Sequence, residues 1–288
     1  MTSREGFAVA RDGTPIYFHL WGEGSAPPLV LCDGIGCDGF VWKYVTREFE
    51  KERRLLHWNY RGHGKTPAPR DRRHLSVVDL ADDFDAVLKT LEIESGVLLG
   101  HSMGVQVCLE IYRRHQQRVR GLGLLCGSYG NPLKTFQGQD LLELALPYLQ
   151  LGARMAPRFV LGMIQKFIPT RLSWEIASRV EVNPQYIRPE DFMPYLDHIA
   201  TLEPELFLEM LAYAGRHTAK EILPMIQVPT LVVAGERDGF TPRSLSDEMG
   251  AQIPGAELVV VPGGSHTAPL ERPELVAEAL RRLLDRAA

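Results

Sequence analysis

The stretch Val97-Leu98-Leu99-Gly100-His101-Ser102-Met103-Gly104 contains the pentapeptide G-x-S-x-G directly after a short apolar run. The residues from Val105 to Tyr112 that follow have the length of a helix. A serine between two glycines at a strand-to-helix junction is the pattern of a nucleophile elbow, where the serine backbone is strained and side chains two positions away would collide with neighbouring backbone. We therefore predict that Ser102 is a catalytic nucleophile.

A serine hydroxyl is a weak nucleophile, so it needs a histidine as base and a carboxylate that orients this base. One later apolar run leads into a loop with Glu236 and Asp238, and the next leads into a loop with His266. Nucleophile, acid and base thus follow one another in the order expected for this type of elbow. We predict His266 as the base and Asp238 as the acid, with Glu236 as the alternative acid.

Acyl transfer also needs hydrogen-bond donors for the oxyanion. One donor is predicted to be the N–H of Met103, at the start of the helix after Ser102. The glycine-rich loop 31–39 follows a buried run, so the N–H of Ile35 is the second predicted donor, and Gly34 and Gly36 are predicted to contact the substrate. The alternative interpretation of this loop is a tight turn without function.

Short apolar runs recur along the chain, and helical periods lie between several of them. The runs are Phe7–Ala10, Ile16–Trp21, Leu29–Leu31, Leu55–Trp58, Val97–Leu99, Leu122–Leu125, Leu231–Ala234 and Leu258–Val261. The turn pair Asp12-Gly13 joins the first two as a hairpin. Apolar stripes at 77–91 and 275–284 indicate helices that cover a parallel sheet. The pattern predicts an α/β fold with a mostly parallel, eight-stranded sheet and helices on both faces.

Residues 131–220 interrupt this alternation, because they have helical periodicity but no convincing buried strand. Eight prolines in this segment, from Pro132 to Pro204, are expected to divide it into short helices. We predict a core of residues 1–130 and 221–288, with residues 131–220 as a helical insertion.

Composition excludes several classes of protein. The chain has 288 residues, 45% hydrophobic and 24% charged, with a formal net charge of -4, which provides no basic field for a nucleic acid. No run of about 18 uncharged apolar residues and no leader-like N-terminus occurs, so we expect a cytoplasmic protein without stable membrane association. The four cysteines have no metal-ligand spacing, and neither a metal nor a cofactor is expected. The oligomeric state stays open.

Taken together, these motifs and the stretch Tyr60-Arg61-Gly62-His63-Gly64-Lys65-Thr66 resemble the α/β-hydrolase superfamily over nearly the whole chain. The resemblance implies the capped, serine esterase or lipase-like branch, with the cap inserted between the sixth and seventh strands. Haloalkane dehalogenases and epoxide hydrolases of the superfamily have Asp at the elbow, and Ser102 argues against both. Lactonases, C–C bond hydrolases and cofactor-free peroxidases keep the triad, so these reactions remain alternatives.

Two positions depart from the family pattern. The glycine loop begins with Asp33 instead of the usual His, and the later loop begins with Asn59 instead of the usual Asp. A negative charge near an oxyanion would be unfavourable unless it is turned away or paired, and Arg61 is one possible partner. We predict that Asp33 is not catalytic.

The insertion is rich in Met and aromatic residues, which suits an adaptable apolar acyl pocket, and Met163 and Phe167 are predicted to line it. Plain core packing is the alternative interpretation. The sequence thus predicts a carboxylic ester hydrolase that forms an acyl-enzyme and takes a small-molecule ester. A ligand-binding protein that keeps the fold without catalysis is the rival from another class.

Overall fold

The computed structural model describes residues 3–130, 141–180 and 182–288. Eight strands of these residues form one sheet in the order β1-β2-β4-β3-β5-β6-β7-β8. They are β1 Arg4–Val9, β2 Pro15–Gly22, β3 Leu29–Cys32, β4 Arg54–Trp58, β5 Gly96–His101, β6 Val119–Leu125, β7 Thr230–Gly235 and β8 Glu257–Val261. β2 pairs antiparallel with β1 and β4, and all other pairs are parallel. The predicted mostly parallel, eight-stranded sheet is confirmed.

The helices lie between the strands and after the last one. In the described residues they are α1 Lys43–Phe49, α2 Val77–Leu91, α3 Met103–Arg114, α4 Leu141–Met155, α5 Pro157–Phe167, α6 Arg171–Val180, α7 Pro189–Ile199, α8 Pro204–Arg216, α9 Arg243–Gln252, α10 Ala268–Glu271 and α11 Pro273–Arg286. None of them is both long enough and apolar enough to cross a membrane.

Both faces of the sheet are covered by helices. Leu98 of β5 belongs to a buried apolar cluster that includes Phe84 of α2. Its neighbours Val97 and Leu99 point the other way, into a second cluster that includes Leu280 of α11. Successive side chains of a strand face opposite sides, so a strand covered on both faces has apolar residues at every position. This is why the central strands were visible as continuous apolar runs.

Local signals explain where two of these elements begin or turn. Gly13 has φ 85° in the turn between β1 and β2, and the side chain of Asp12 accepts the N–H of Thr14 at 3.1 Å. At the start of α2, the hydroxyl of Ser76 accepts the N–H of Asp79, and the Asp79 carboxylate accepts the N–H of Ser76. This reciprocal capping box satisfies two backbone donors at the helix start.

The helices α4 to α8, called the inserted helices below, lie between β6 and β7. The described part of this segment forms several short helices, as the prolines predict, but Pro147 and Pro194 lie inside α4 and α7 and do not end them. Both prolines are exposed, so water can bind the carbonyl that each one deprives of its helical donor. The predicted start of the insertion at Asn131 lies outside the described residues. At the predicted end of the insertion, a 3-10 helix, Lys220–Met225, leads into β7.

Four parallel strands end at the same edge of the sheet, below the inserted helices. The loop after β3 contains Asp33, β5 is followed by Ser102, and the loops after β7 and β8 contain Asp238 and His266. Loops at the carboxyl ends of parallel strands are the usual place for a binding site in an open α/β sheet.

Candidate active site

Ser102 occupies a sharp turn between β5 and α3. Its backbone has φ 56° and ψ -121°, a left-handed conformation that is rare for residues with a side chain. A Cβ on Gly104 would lie 2.0 Å from the carbonyl oxygen of Cys32, and a Cβ on Gly100 would lie 2.4 Å from the carbonyl oxygen of Gly104. The backbone is therefore packed too closely for side chains on either side of Ser102, as the pentapeptide predicts.

His266 and Asp238 form a hydrogen-bonded pair. The Nδ1 atom of His266 lies 2.9 and 3.1 Å from the two carboxylate oxygens of Asp238. Asp238 also accepts the N–H groups of Phe240 and Thr241 and the hydroxyl of Thr241, at 2.8 to 2.9 Å. Since Nδ1–H donates to Asp238, Nε2 is left as the basic nitrogen of the ring.

Asp238 is held in its ionised form. Burial would raise its pKa, but the charge of His266 and the hydrogen bonds from His266 and Thr241 outweigh burial, so the pKa of Asp238 lies below its usual value. The alternative acid, Glu236, instead accepts the N–H of Gly263 at 2.7 Å. Asp238 is therefore the carboxylate that contacts His266, whereas Glu236 binds the backbone of the loop after β8.

Ser102 and His266 line the same small pocket, of about 70 Å³. Ile35 also lines it, whereas Met103 is the first residue of α3, so its N–H has no acceptor within the helix. Gly34 lies against Ser102, since a Cβ there would be 3.0 Å from the Cβ of Ser102. The two predicted oxyanion donors thus lie on the two segments that meet at Ser102.

Gly36 is held by a hydrogen bond to the loop after β4. Its N–H donates to Nε2 of His63 at 3.0 Å, and Nδ1 of His63 lies 3.1 Å from the carbonyl oxygen of Arg61. The ring must therefore be neutral, with its proton on Nδ1. Burial lowers the pKa of His63 to about 4, which agrees with this tautomer.

Asp33 does not line the pocket of Ser102, and its carboxylate is paired, but the suggested partner Arg61 is wrong. Its carboxylate accepts the indole N–H of Trp42 at 2.7 Å and the N–H of Gly39 at 2.9 Å, and lies 2.8 Å from Nε2 of His57. Burial would raise the pKa of Asp33, but the charge and hydrogen bond of His57 and the other donors hold it below its usual value. Arg61 is instead bound by two other carboxylates, Asp12 and Asp83.

Sequence reasoning missed His101, which precedes Ser102 and also lines the pocket. Its Nε2–H donates to the carbonyl oxygen of His266 at 2.9 Å, so it ties the turn at Ser102 to the loop of His266. Burial lowers the pKa of His101 to about 4, which keeps the ring neutral. The middle positions of G-x-S-x-G are variable, so the pentapeptide carried no signal for this contact.

Four aromatic side chains complete the pocket: Phe40, Phe192, Tyr195 and Phe240. The prediction of Met163 and Phe167 is not supported, because both lie on α5, are 43% and 48% exposed, and are not among the residues that line the pocket of Ser102. The opposite face of α5 packs inward, and helical periodicity alone does not say which face that is. Residues of α7, Phe192 and Tyr195, take the place that was predicted for α5.

The arrangement as a whole brings a serine hydroxyl to the same pocket as an imidazole that is hydrogen-bonded to a buried carboxylate, and backbone N–H donors lie on the segments beside Ser102. Such a set is able to perform nucleophilic acyl transfer. Within the described ranges, no three His, Cys, Asp or Glu side chains are grouped as ligands for a metal ion.

The chain was compared with known proteins. Residues 27–273 match the family model described as the alpha/beta hydrolase fold. A curated relative, the dihydrolipoyllysine-residue acetyltransferase component of the acetoin cleaving system of Pseudomonas putida, is 30% identical over 93% of this chain and 66% of its own length.

Two solved structures are similar over nearly their whole length. The enol-lactonase from Burkholderia xenovorans LB400 has a TM-score of 0.78 and 23% identity, with 97% of this chain and 99% of that chain covered. Est816, described as an N-acyl homoserine lactone degrading enzyme, has a TM-score of 0.73 and 27% identity, with 96% and 99% covered. The sheet order, the elbow and the match of the family model agree: the chain belongs to the α/β hydrolase family.

Proposed function

We propose that this protein is a serine hydrolase that cleaves carboxylic esters with an apolar acyl group through an acyl-enzyme. The observation that carries the proposal is that His266, which is hydrogen-bonded to Asp238, lines one pocket together with the strained Ser102. An imidazole oriented by a carboxylate is the base that a serine hydroxyl needs near neutral pH.

In the first half of the reaction, Oγ of Ser102 attacks the ester carbonyl and Nε2 of His266 takes its proton. The N–H groups of Met103 and Ile35 stabilise the oxyanion of the tetrahedral intermediate. The C–O bond to the alcohol then breaks, and the imidazolium returns its proton to the leaving oxygen. Asp238 stabilises the imidazolium between these two transfers.

In the second half, a water molecule loses its proton to His266 and attacks the acyl-enzyme. The ester bond to Ser102 breaks, its oxygen takes the proton back, and the carboxylic acid leaves. No cofactor takes part in these steps. A small-molecule ester as partner and a cytoplasmic location stay predictions from the sequence.

Lactone hydrolysis is a second candidate, since Est816, at 27% identity, is described as an enzyme that degrades N-acyl homoserine lactones. The steps would be the same, except that the leaving alcohol stays attached to the acyl group. C–C bond hydrolysis, perhydrolysis and ligand binding without catalysis are the remaining alternatives, and no described contact favours any of them.

The test is covalent labelling by a fluorophosphonate, followed by kinetics on p-nitrophenyl esters and on lactones. We expect wild-type protein to be labelled at Ser102, and Ser102→Ala to stay unlabelled and to lose roughly 10⁴-fold or more in kcat. Unchanged thermal unfolding of the variant excludes misfolding. A wild-type protein that is not labelled and hydrolyses none of these substrates would contradict the proposal.

A further inference from the structure

The pocket at Ser102 has room for the reacting carboxyl group but not for a long acyl chain. Its volume is about 70 Å³, whereas binding sites for small molecules commonly have about 300–1,000 Å³. An ester with an apolar acyl group therefore needs a second space next to this pocket.

A larger cavity lies among the inserted helices. It has about 360 Å³ and is lined from α4, α5, α7 and α8 by residues such as Ala153, Val160, Ile164, Ile199 and Phe207. Its described lining contains no charged side chain. An alkyl chain is the ligand that such a surface favours, because burial of apolar area is stabilising and no polar group is left unpaired.

Another cavity, of about 530 Å³, is less suitable for an alkyl chain. Asp38, Lys43, Glu190 and Asp191 are among its lining residues. An alkyl chain there would take water away from these charged groups without replacing their hydrogen bonds.

Gly36 connects the apolar cavity to the active site. A Cβ on Gly36 would lie 3.1 Å from Cγ1 of Ile199 and 3.2 Å from Cε2 of Phe207, and both of these side chains line the cavity. The neighbour of Gly36, Ile35, lines the pocket of Ser102. The loop of Ile35 and Gly36 thus borders both spaces, with the side chains of Ile199 and Phe207 on the side of the cavity, and rotation of these two side chains is fast.

From this contact we infer that the acyl chain of the substrate passes Gly36 and occupies the apolar cavity of the inserted helices, with Ile199 and Phe207 as the movable wall. The substrate class is then an ester of a medium-chain acid, whose alkyl chain the apolar lining favours. This inference rests on the proposed function and adds to it the place and the length of the acyl chain.

Two glycines provide a matched test. Gly152 on α4 lines the cavity, whereas Gly162 on α5 does not, and a Cβ at either position would meet no atom within 4 Å. A side chain therefore has space to begin at both positions, but only Gly152→Leu adds its side chain at the wall of the cavity. The measurement is the ratio of kcat/KM for p-nitrophenyl octanoate to that for the acetate, in wild type, Gly152→Leu and Gly162→Leu.

We expect Gly152→Leu to lower the ratio and Gly162→Leu to leave it at the wild-type value. Each methylene of the acyl chain that is buried in the cavity raises kcat/KM roughly fourfold, so exclusion of two or three methylenes from the cavity lowers the ratio roughly 15- to 60-fold. Phe207→Ala is expected to shift the preference to longer chains. Acetate hydrolysis with an equal ratio in all three proteins would overturn this inference alone, whereas absence of both hydrolysis and labelling would overturn the proposed function as well.

Discussion

Ser102 has a backbone conformation that is strained for a residue with a side chain, with φ 56°. Such strain is on the order of 1–3 kcal/mol and persists only where the surroundings enforce it. Here, the N–H of Ser102 donates to the carbonyl of Leu125 at 3.1 Å, and its own carbonyl accepts the N–H of Val105 at 3.0 Å. These bonds to β6 and α3 fix the turn and hold the hydroxyl at the pocket.

Asp33 lies in the loop after β3, and its carboxylate is occupied by contacts within the protein. Trp42, Gly39 and His57 surround its carboxylate, and its side chain is 3% exposed. Burial lowers the pKa of His57, but Asp33 more than compensates, so the net pKa of His57 is raised. The pair holds the start of the loop that presents Ile35.

Asp33→Asn is expected to keep catalysis and to lose stability. An amide offers one acceptor oxygen in place of two, so a buried donor loses its partner, at a cost of about 1–3 kcal/mol. Because the pKa of folded His57 is raised, the stabilisation by this pair is fully present below the unfolded pKa of histidine and is lost as the pH rises through the folded pKa. Urea unfolding should show a larger loss at pH 6 than at pH 9.

Kinetics on the acetate ester provide the control for that variant. We expect kcat to fall by no more than roughly tenfold, against the roughly 10⁴-fold loss of Ser102→Ala. A loss equal to that of Ser102→Ala would mean that Asp33 takes part in the chemistry.

Two loops act as one element at the site, because His63 of the loop after β4 holds Gly36 of the loop after β3. The contact works only while His63 is neutral, since a proton on Nε2 would face the N–H of Gly36. The pKa of about 4 for folded His63 therefore makes the contact with the loop of Ile35 and Gly36 depend on pH.

His63→Leu tests this link. Between the unfolded pKa of 6.5 and the folded pKa of about 4, the unfolded chain binds a proton that the folded chain does not, so wild-type stability falls as the pH falls. The contribution of His63 over this range is about 3 kcal/mol. We expect the free energy of unfolding of His63→Leu to depend less on pH between 6.5 and 4, because unfolding of this variant takes up about one proton fewer than unfolding of the wild type. We also expect kcat to fall, because the N–H of Gly36 loses its acceptor.

His63→Gln is the matched variant, because an amide oxygen is able to accept the N–H of Gly36 and does not titrate. It should show the flatter pH dependence together with a kcat closer to wild type. An unchanged pH slope in both variants would contradict a neutral, buried His63.

The elements could be predicted from the sequence wherever burial leaves a pattern. The central strands are buried on both faces, so their apolar runs were visible, and Ser102, Asp238 and His266 each follow such a run. The order of the strands leaves no such pattern. β3 pairs with β4 so that Leu31 lies beside His57, and this register brings His57 to Asp33, a partner that the sequence did not suggest.

At the scale of the whole molecule, the inserted helices pack against both cores of the sheet. Phe192 of α7 belongs to one buried cluster, and Leu206 and Met210 of α8 belong to the other. Helical periodicity predicts that each helix has an apolar face but not which core the face contacts. For this reason Met163 and Phe167 were predicted at the pocket, whereas Phe192 and Tyr195 line it.

Arg61 joins three parts of the molecule that are far apart in the sequence. Its guanidinium donates to Asp83 of α2 at 2.7 Å through two nitrogens, and to Asp12 of the β1–β2 turn at 2.6 and 3.2 Å. Burial raises the pKa of Asp83 to about 6, although Arg61 opposes this shift. At the more exposed Asp12, the hydrogen bonds from Arg61 and Thr14 outweigh burial and lower the pKa to about 2.

Arg61→Met should therefore leave a buried carboxylate without its cation and destabilise the protein by about 3–5 kcal/mol at pH 8. An acid whose pKa is raised on folding favours the folded state at low pH, and this advantage is lost as the pH rises, so the cost should be smaller at pH 5, where Asp83 binds a proton. Replacing both partners, as Arg61→Met with Asp83→Leu, removes the unpaired charge and should recover most of the loss. Urea unfolding of wild type, the single variant and the double variant at both pH values measures this. An equal loss at pH 5 and pH 8, or no recovery in the double variant, would show that Arg61 acts by packing and not by its charge.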